Sequence, residues 1–223
     1  MRVISIERAI ATQLFVPEEV RPTMGLNIVE AIRLTGERYA FAEKSNLEET
    51  SSKGLILRSG QLVAQDRKII ITSLGIYNDG IIAETFTTRD ADIIIDDVWS
   101  WAKQVLGFRD PITRIKRKYD SQVIVEFDDA IDKHLEVLVK IRKAMGDALK
   151  LAYGVPVRIH LQSIGFAADL APSRDLPRSQ FTIERRLQQP YSTNRFFSVA
   201  PLGADEHISV LKMFEREMLG EGC

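Results

Sequence analysis

The chain has 223 residues, of which 45% are hydrophobic and 27% charged, with a formal net charge of −1. That is ordinary globular composition, and a chain of this length buries a core without disulfide or metal staples. Near-neutral charge excludes attraction of the whole molecule to nucleic acid or anionic membrane, so any such attraction must come from a local patch.

The single cysteine, Cys223, has no partner for an internal disulfide, which fits a reducing, cytoplasmic setting. The opening "MRVISIERAI" carries no apolar signal core, and no window approaches the ~20 apolar residues of a membrane span. No membrane partner is expected.

Val3–Pro17 reads as a first strand, with Ile4, Ile6 and Ile10 partly in step and Pro17 and Pro22 ending it. Residues 25–41 are ambiguous. Ile28 and Ile32 fit a short helix, whereas the β-branched residues and Gly36 fit a strand. Residues 43–53 are polar without a core pattern and read as a loop or mobile excursion. "GLILRSGQLVAQ" places a Ser59-Gly60 turn between two apolar pieces. Asn78-Asp79-Gly80 between apolar arms predicts a tight hairpin, because these residues accept a positive φ at low cost.

A helix follows, capped by Thr88 or Asp90 and ended by Gly107. Ile94, Val98, Trp101 and Val105 share one of its faces. A strand after Pro111 is basic in its first half and apolar in its second. The longest helix is predicted near residues 129–153, capped by Asp128 or Asp129 and closed by Gly154. Ile131, Leu135, Leu138, Ile141, Met145, Leu149 and Ala152 form its apolar stripe. Such a helix spans roughly 35 Å, so it must lie across a sheet or project and meet a partner.

Val157, Ile159 and Leu161 alternate as a strand face, and a proline-rich connector follows. Two strands then flank Pro190. In the first, Phe181, Ile183 and Arg185 share one face, opposite Thr182, Glu184 and Arg186. The last helix turns Val210, Leu211, Phe214 and Met218 inward. No internal repeat is visible in the sequence. The order of elements predicts one α+β domain over residues 1–223, with a largely antiparallel sheet packed by three helices.

No catalytic or cofactor motif is present, and no cofactor is expected. The chain lacks the phosphate loop, the dinucleotide fingerprint and the nucleophile elbow. His134, His160 and His207 form no metal-ligand pair and read as surface or strand-face residues. Asp92 and Asp96 share a helix face, near Asp90 and Asp97. Together they define one alternative, a metal-dependent hydrolase, although acids near a helix start are also expected from its dipole. Two basic segments, 114–118 and 174–195, define another, the binding of nucleic acid or a phosphorylated ligand. Its candidate residues are Arg114, Lys116, Lys118, Arg185, Arg186, Tyr191 and Arg195. The leading reading is a non-catalytic interaction or assembly protein that associates with itself or with a protein partner. The long apolar helix supplies a self-complementary surface for a homo-oligomer.

Overall fold

The computed structural model describes residues 1–22, 25, 27–44, 54–64, 66–113, 116–131, 136–167 and 180–219. The fold is α+β, and every strand pairing with a described register is antiparallel. The chain forms two compact units. The first comprises Arg8–Ser121 with Leu202–Ala204, and the second Met1–Glu7, Gln122–Pro201 and Asp205–Cys223.

The chain begins with β1 (Arg2–Leu14), a single helical turn α1 (Pro17–Val20) and α2 (Ile28–Arg38). Next come β2 (Glu43–Lys44), β3 (Leu55–Ala64), β4 (Arg67–Tyr77), β5 (Gly80–Thr85) and α3 (Thr88–Leu106). The second half holds β6 (Lys116–Glu126), α4 (Glu136–Tyr153), β7 (Ser163–Ala167), β8 (Gln180–Arg185), β9 (Arg195–Ala200) and α5 (Ala204–Leu219).

With the single turn α1 and the two-residue β2 set aside, the chain contains one pattern twice: a long strand, a helix, three consecutive strands, a helix. The strand orders agree as well, β3-β4-β5-β1 in one unit and β7-β8-β9-β6 in the other. The repeat is topological. Sequence periodicity does not reveal it, because different residues fill equivalent places.

In the first unit the β-ladder turns Leu57, Ile69, Ile71 and Ala83 into a core with Tyr39, the C-cap of α2, and Ile94, Ile95 and Val98 of α3. From β1 the buried residues are Ala9, Ala11 and Gln13, not the isoleucines. Ile4 is exposed and Ile10 only half-buried. Between Ala9 and Gln13 the inward set is out of step with Ile10, whereas Ile6, half-buried, packs on the core of its own unit.

The hairpin at Asn78–Asp79 forms as predicted, with Tyr77 opposite Gly80. Its reason differs. Neither Asn78 nor Asp79 has a positive φ. Gly80 is needed because a Cβ there would lie 2.9 Å from the Gln13 carbonyl oxygen of β1. The Ser59-Gly60 pair makes no turn. Ser59 adopts φ +57° inside β3, and the ladder continues in one register on both sides.

Thr87, one residue before Thr88 and three before Asp90, caps α3 by accepting the Asp90 backbone N–H at 3.1 Å. Gly107 closes α3 in the left-handed conformation, as predicted. Val105 is exposed, while Ile94, Val98 and Trp101 are buried. The ambiguous segment is the helix α2, capped by Asn27, whose side chain accepts the Glu30 N–H. The described residues thus hold four helices of eleven residues or more, not three. Of the predicted excursion at 43–53, Glu43 and Lys44 pair with β3, and the rest lies outside the described residues.

The second unit is built around Val123, Val125, Phe127, Ile183, Phe196 and Leu211, with Phe214 and Met218 of α5 packed on them. Phe127 meets Phe196 edge-on at 5.2 Å. The long helix is described from Glu136, not from 129. Ile131 is buried in the core, away from the helical stripe to which its spacing assigned it. The strand predicted from Val157 starts only at Ser163. Its partner β8 ends at Arg185, opposite that point, so no ladder is available to residues 156–161.

Candidate functional site

The two basic segments fall in different units. Arg114 and residues 171–179 lie outside the described residues, and Lys116 is described only as the first residue of β6. Lys118 is half-buried on β6. Its neighbour Arg117, not in the predicted set, turns toward α3. One guanidinium nitrogen sits 2.9 Å from Asp92, and the other 2.7 Å from Asp96 and 2.6 Å from the Gln13 side-chain oxygen. Burial opposes the Arg117 charge, but the neighbouring carboxylates, Asp96 first, outweigh it and raise its pKa.

The acids of α3 are all engaged. Asp90 accepts from Arg67. Asp92 also accepts the Tyr119 hydroxyl at 3.1 Å. Asp97 takes both a guanidinium nitrogen of Arg38 at 2.8 Å and the Tyr39 hydroxyl at 2.7 Å. Burial, reinforced by Asp97, holds the Tyr39 phenol well above its ordinary pKa, so it remains a donor. These carboxylates fasten α3 to α2 and to the sheet strands. Among the described residues, no group of three acidic, histidine or cysteine side chains converges as a metal would require. A recess of about 430 Å³ beside Arg117 includes Lys103, but that amine is bound to Asp110 at 2.8 Å.

In the second unit Arg185 is buried, 7% exposed. Its Nε donates to the Leu161 carbonyl at 2.9 Å, and one terminal nitrogen to the Tyr191 carbonyl at 3.3 Å. Its guanidinium lies over the Phe196 and Tyr191 rings at 4.8 and 5.1 Å. The fork predicted for a ligand is turned onto the protein itself. Arg195 pairs with Glu126 at 2.8 Å, and Glu126 also receives Arg2 at 2.9 Å. Arg195 leads the causes that lower the Glu126 pKa. Arg186 is exposed, and its backbone N–H meets the Arg195 carbonyl. Tyr191 is half exposed and stacks on His160, centroids 4.2 Å apart and planes 13° from parallel.

His207, expected at the surface, is fully buried, because the first turn of α5 faces the sheet. Burial pushes its pKa down to about 4. His134 lies outside the described residues.

The feature of α4 that matters most is what it leaves uncovered. At 100° per residue, Ile141, Met145, Ala148 and Ala152 share one face. Ile141 is 48% exposed and Met145 49%, and both alanines are exposed. Leu151 and Tyr153 extend the apolar surface. The helix at the same place in the other unit behaves differently, since α2 buries Ala31 and Thr35, with Tyr39 at its C-cap. No described position from 139 to 153 is buried.

On its other side α4 meets residues 156–160, and a groove of about 620 Å³ runs between them. Arg142, Lys143, Lys150 and Arg158 line it, against a single carboxylate, Asp147. The Arg142 Nε is bound to the Ile159 carbonyl at 2.6 Å. Lys143, Lys150 and Arg158 have no ion-pair partner among the described residues. Sequence reading missed this cluster because its cations are spread over 142–158 and make no run. The signal was present as lysines and arginines on the polar arc of an amphipathic helix.

Fold and surface together define an α+β protein with a repeated β-α-β-β-β-α topology and one amphipathic helix exposed on its apolar face. No protein-family model matches the sequence, and no curated protein matches it. No described helix is long and apolar enough to cross a membrane.

Proposed function

We propose that the protein is an interaction and assembly component that associates with a second copy of itself through α4. The observation that carries this reading is the exposed stripe of Ile141, Met145, Ala148 and Ala152. An apolar helix face left open to water is unfavourable, since burying one large aliphatic side chain is worth about 1.5–3 kcal/mol. The charges of α4 support a second copy as the occupant. Lys140, Lys143, Asp147 and Lys150 project from the opposite arc, so two such helices meet without apposing like charges. Ala148 and Ala152 permit close approach, and an antiparallel pair related by two-fold symmetry presents each helix with the same surface.

Size-exclusion chromatography with light scattering tests this. The expected mass is twice the 25.2 kDa of one chain. Ile141→Glu with Met145→Glu should give the single-chain mass with an unchanged circular dichroism spectrum. A wild-type protein that remains a monomer at its highest attainable concentration overturns the reading.

A further inference from the structure

The groove on the other side of α4 has a different chemistry and calls for a different occupant. Three of its cations, Lys143, Lys150 and Arg158, have no ion-pair partner among the described residues. Elsewhere several cations are held in ion pairs, Arg33, Arg38, Arg67, Arg117 and Arg195 among them, while isolated ones such as Lys68, Lys118 and Lys212 have no such partner among the described residues; what marks the groove is that three lie along one recess. Lys143 and Lys150 are seven residues apart, two turns of one helix, so their amines follow the groove over about 10 Å. The groove's walls include the apolar Val139, Val157 and Ile159. His160 also lines it, and the face of that ring is stacked on the half-exposed Tyr191.

We propose that this groove binds single-stranded nucleic acid. Ammonium and guanidinium groups along a groove suit a row of phosphates, and a base can continue the ring stack on His160, the member that lines the groove, since Arg185 lies over Tyr191. A volume of about 620 Å³ is within the range of sites that enclose a small ligand, which suits a few nucleotides and not a duplex. An acidic peptide would satisfy the cations but gives no role to the ring stack. The sites for nucleic acid and for the second copy lie on opposite arcs of α4, so occupying one leaves the other open.

Fluorescence anisotropy with a labelled single-stranded oligonucleotide, DNA and RNA in turn, tests the proposal on the full chain. Binding should weaken with salt at a log–log slope near −2, as expected for about three phosphates at −0.7 each. Lys150→Glu with Arg158→Glu should weaken binding at least tenfold while the melting temperature and oligomeric mass stay unchanged. His160→Ala should weaken it between about five- and a hundredfold, the range for losing one stacked base. Three outcomes overturn the proposal: no binding at low salt, binding indifferent to the charge reversals, or equal competition by a polyglutamate peptide. The last would assign the groove to acidic protein segments. The Ile141→Glu, Met145→Glu protein should bind the oligonucleotide like the wild type, which separates this site from the self-association surface.

Discussion

His207 Nε2 lies 2.8 Å from Ser198 Oγ, and neither residue is exposed to solvent. The Ser198 hydroxyl donates to the Thr182 carbonyl at 2.7 Å, so it accepts from the imidazole, which carries its proton on Nε2. The serine proton is already committed to a carbonyl, and the pair acts as a strut between α5 and the β8–β9 strands.

Acid should therefore weaken the fold. An unfolded histidine takes a proton below about 6.5, whereas folded His207 resists until about 4. Between these values the unfolded chain binds more protons, so stability is full above pH 6.5 and falls as the pH drops toward 4. The loss attributable to this group approaches about 3 kcal/mol. Urea titrations at pH 7 and pH 4.5 measure it. In His207→Gln the difference between the two pH values should shrink by a comparable amount, and an unchanged difference would show that other groups control the acid limb.

Arg185→Lys should cost about 2 kcal/mol in urea unfolding. Lysine keeps the charge but loses the planar fork that reaches both the Leu161 and Tyr191 carbonyls, and it stacks less well on the two rings. A neutral outcome would mean that the guanidinium is not the strut its geometry describes.

The α3 carboxylates should respond as struts and not as metal ligands. Asp97→Asn weakens the Arg38 pair and the Tyr39 hydrogen bond, at an expected cost of about 1 kcal/mol for this partly exposed group. Millimolar Mg²⁺ or Mn²⁺ should leave the melting temperature unchanged, because a bound ion would stabilise the folded state. A rise of several degrees would reopen the alternative of a metal-dependent hydrolase.

Gly80→Ala should cost about 1–3 kcal/mol, since the added methyl must press on the backbone of β1. A thermal melt decides it. Asn78→Ala should cost less, because its φ is not positive and places no demand on residue type.

Residues that interact with close sequence neighbours were legible in advance. The Asn78–Gly80 hairpin, the end of α3 at Gly107 and the packing of Leu211, Phe214 and Met218 of α5 each depend on a few adjacent positions, although Val210 stays outside that core and His207 and Glu215 are buried unforeseen. The predicted site residues fared otherwise. Arg185 and Tyr191 do come together, but with each other and with Phe196, and Arg195 is drawn to Glu126, 69 positions away. The groove went unseen because its cations converge only when α4 meets residues 156–160.

The sequence by itself determined the α+β class, the antiparallel character and the existence of a long amphipathic helix. Those follow from periodicity and turn chemistry, which act over a few residues. Only the tertiary structure decided which charges are neutralised and which face water. Arg117 and Asp92 are 25 positions apart, yet their pairing turns a candidate ligand site into a brace. Lys143 and Lys150 acquire no such partner among the described residues, and Ile141 and Met145 no such cover. Burial and charge pairing are properties of neighbours in space, so they appear only once the chain has folded.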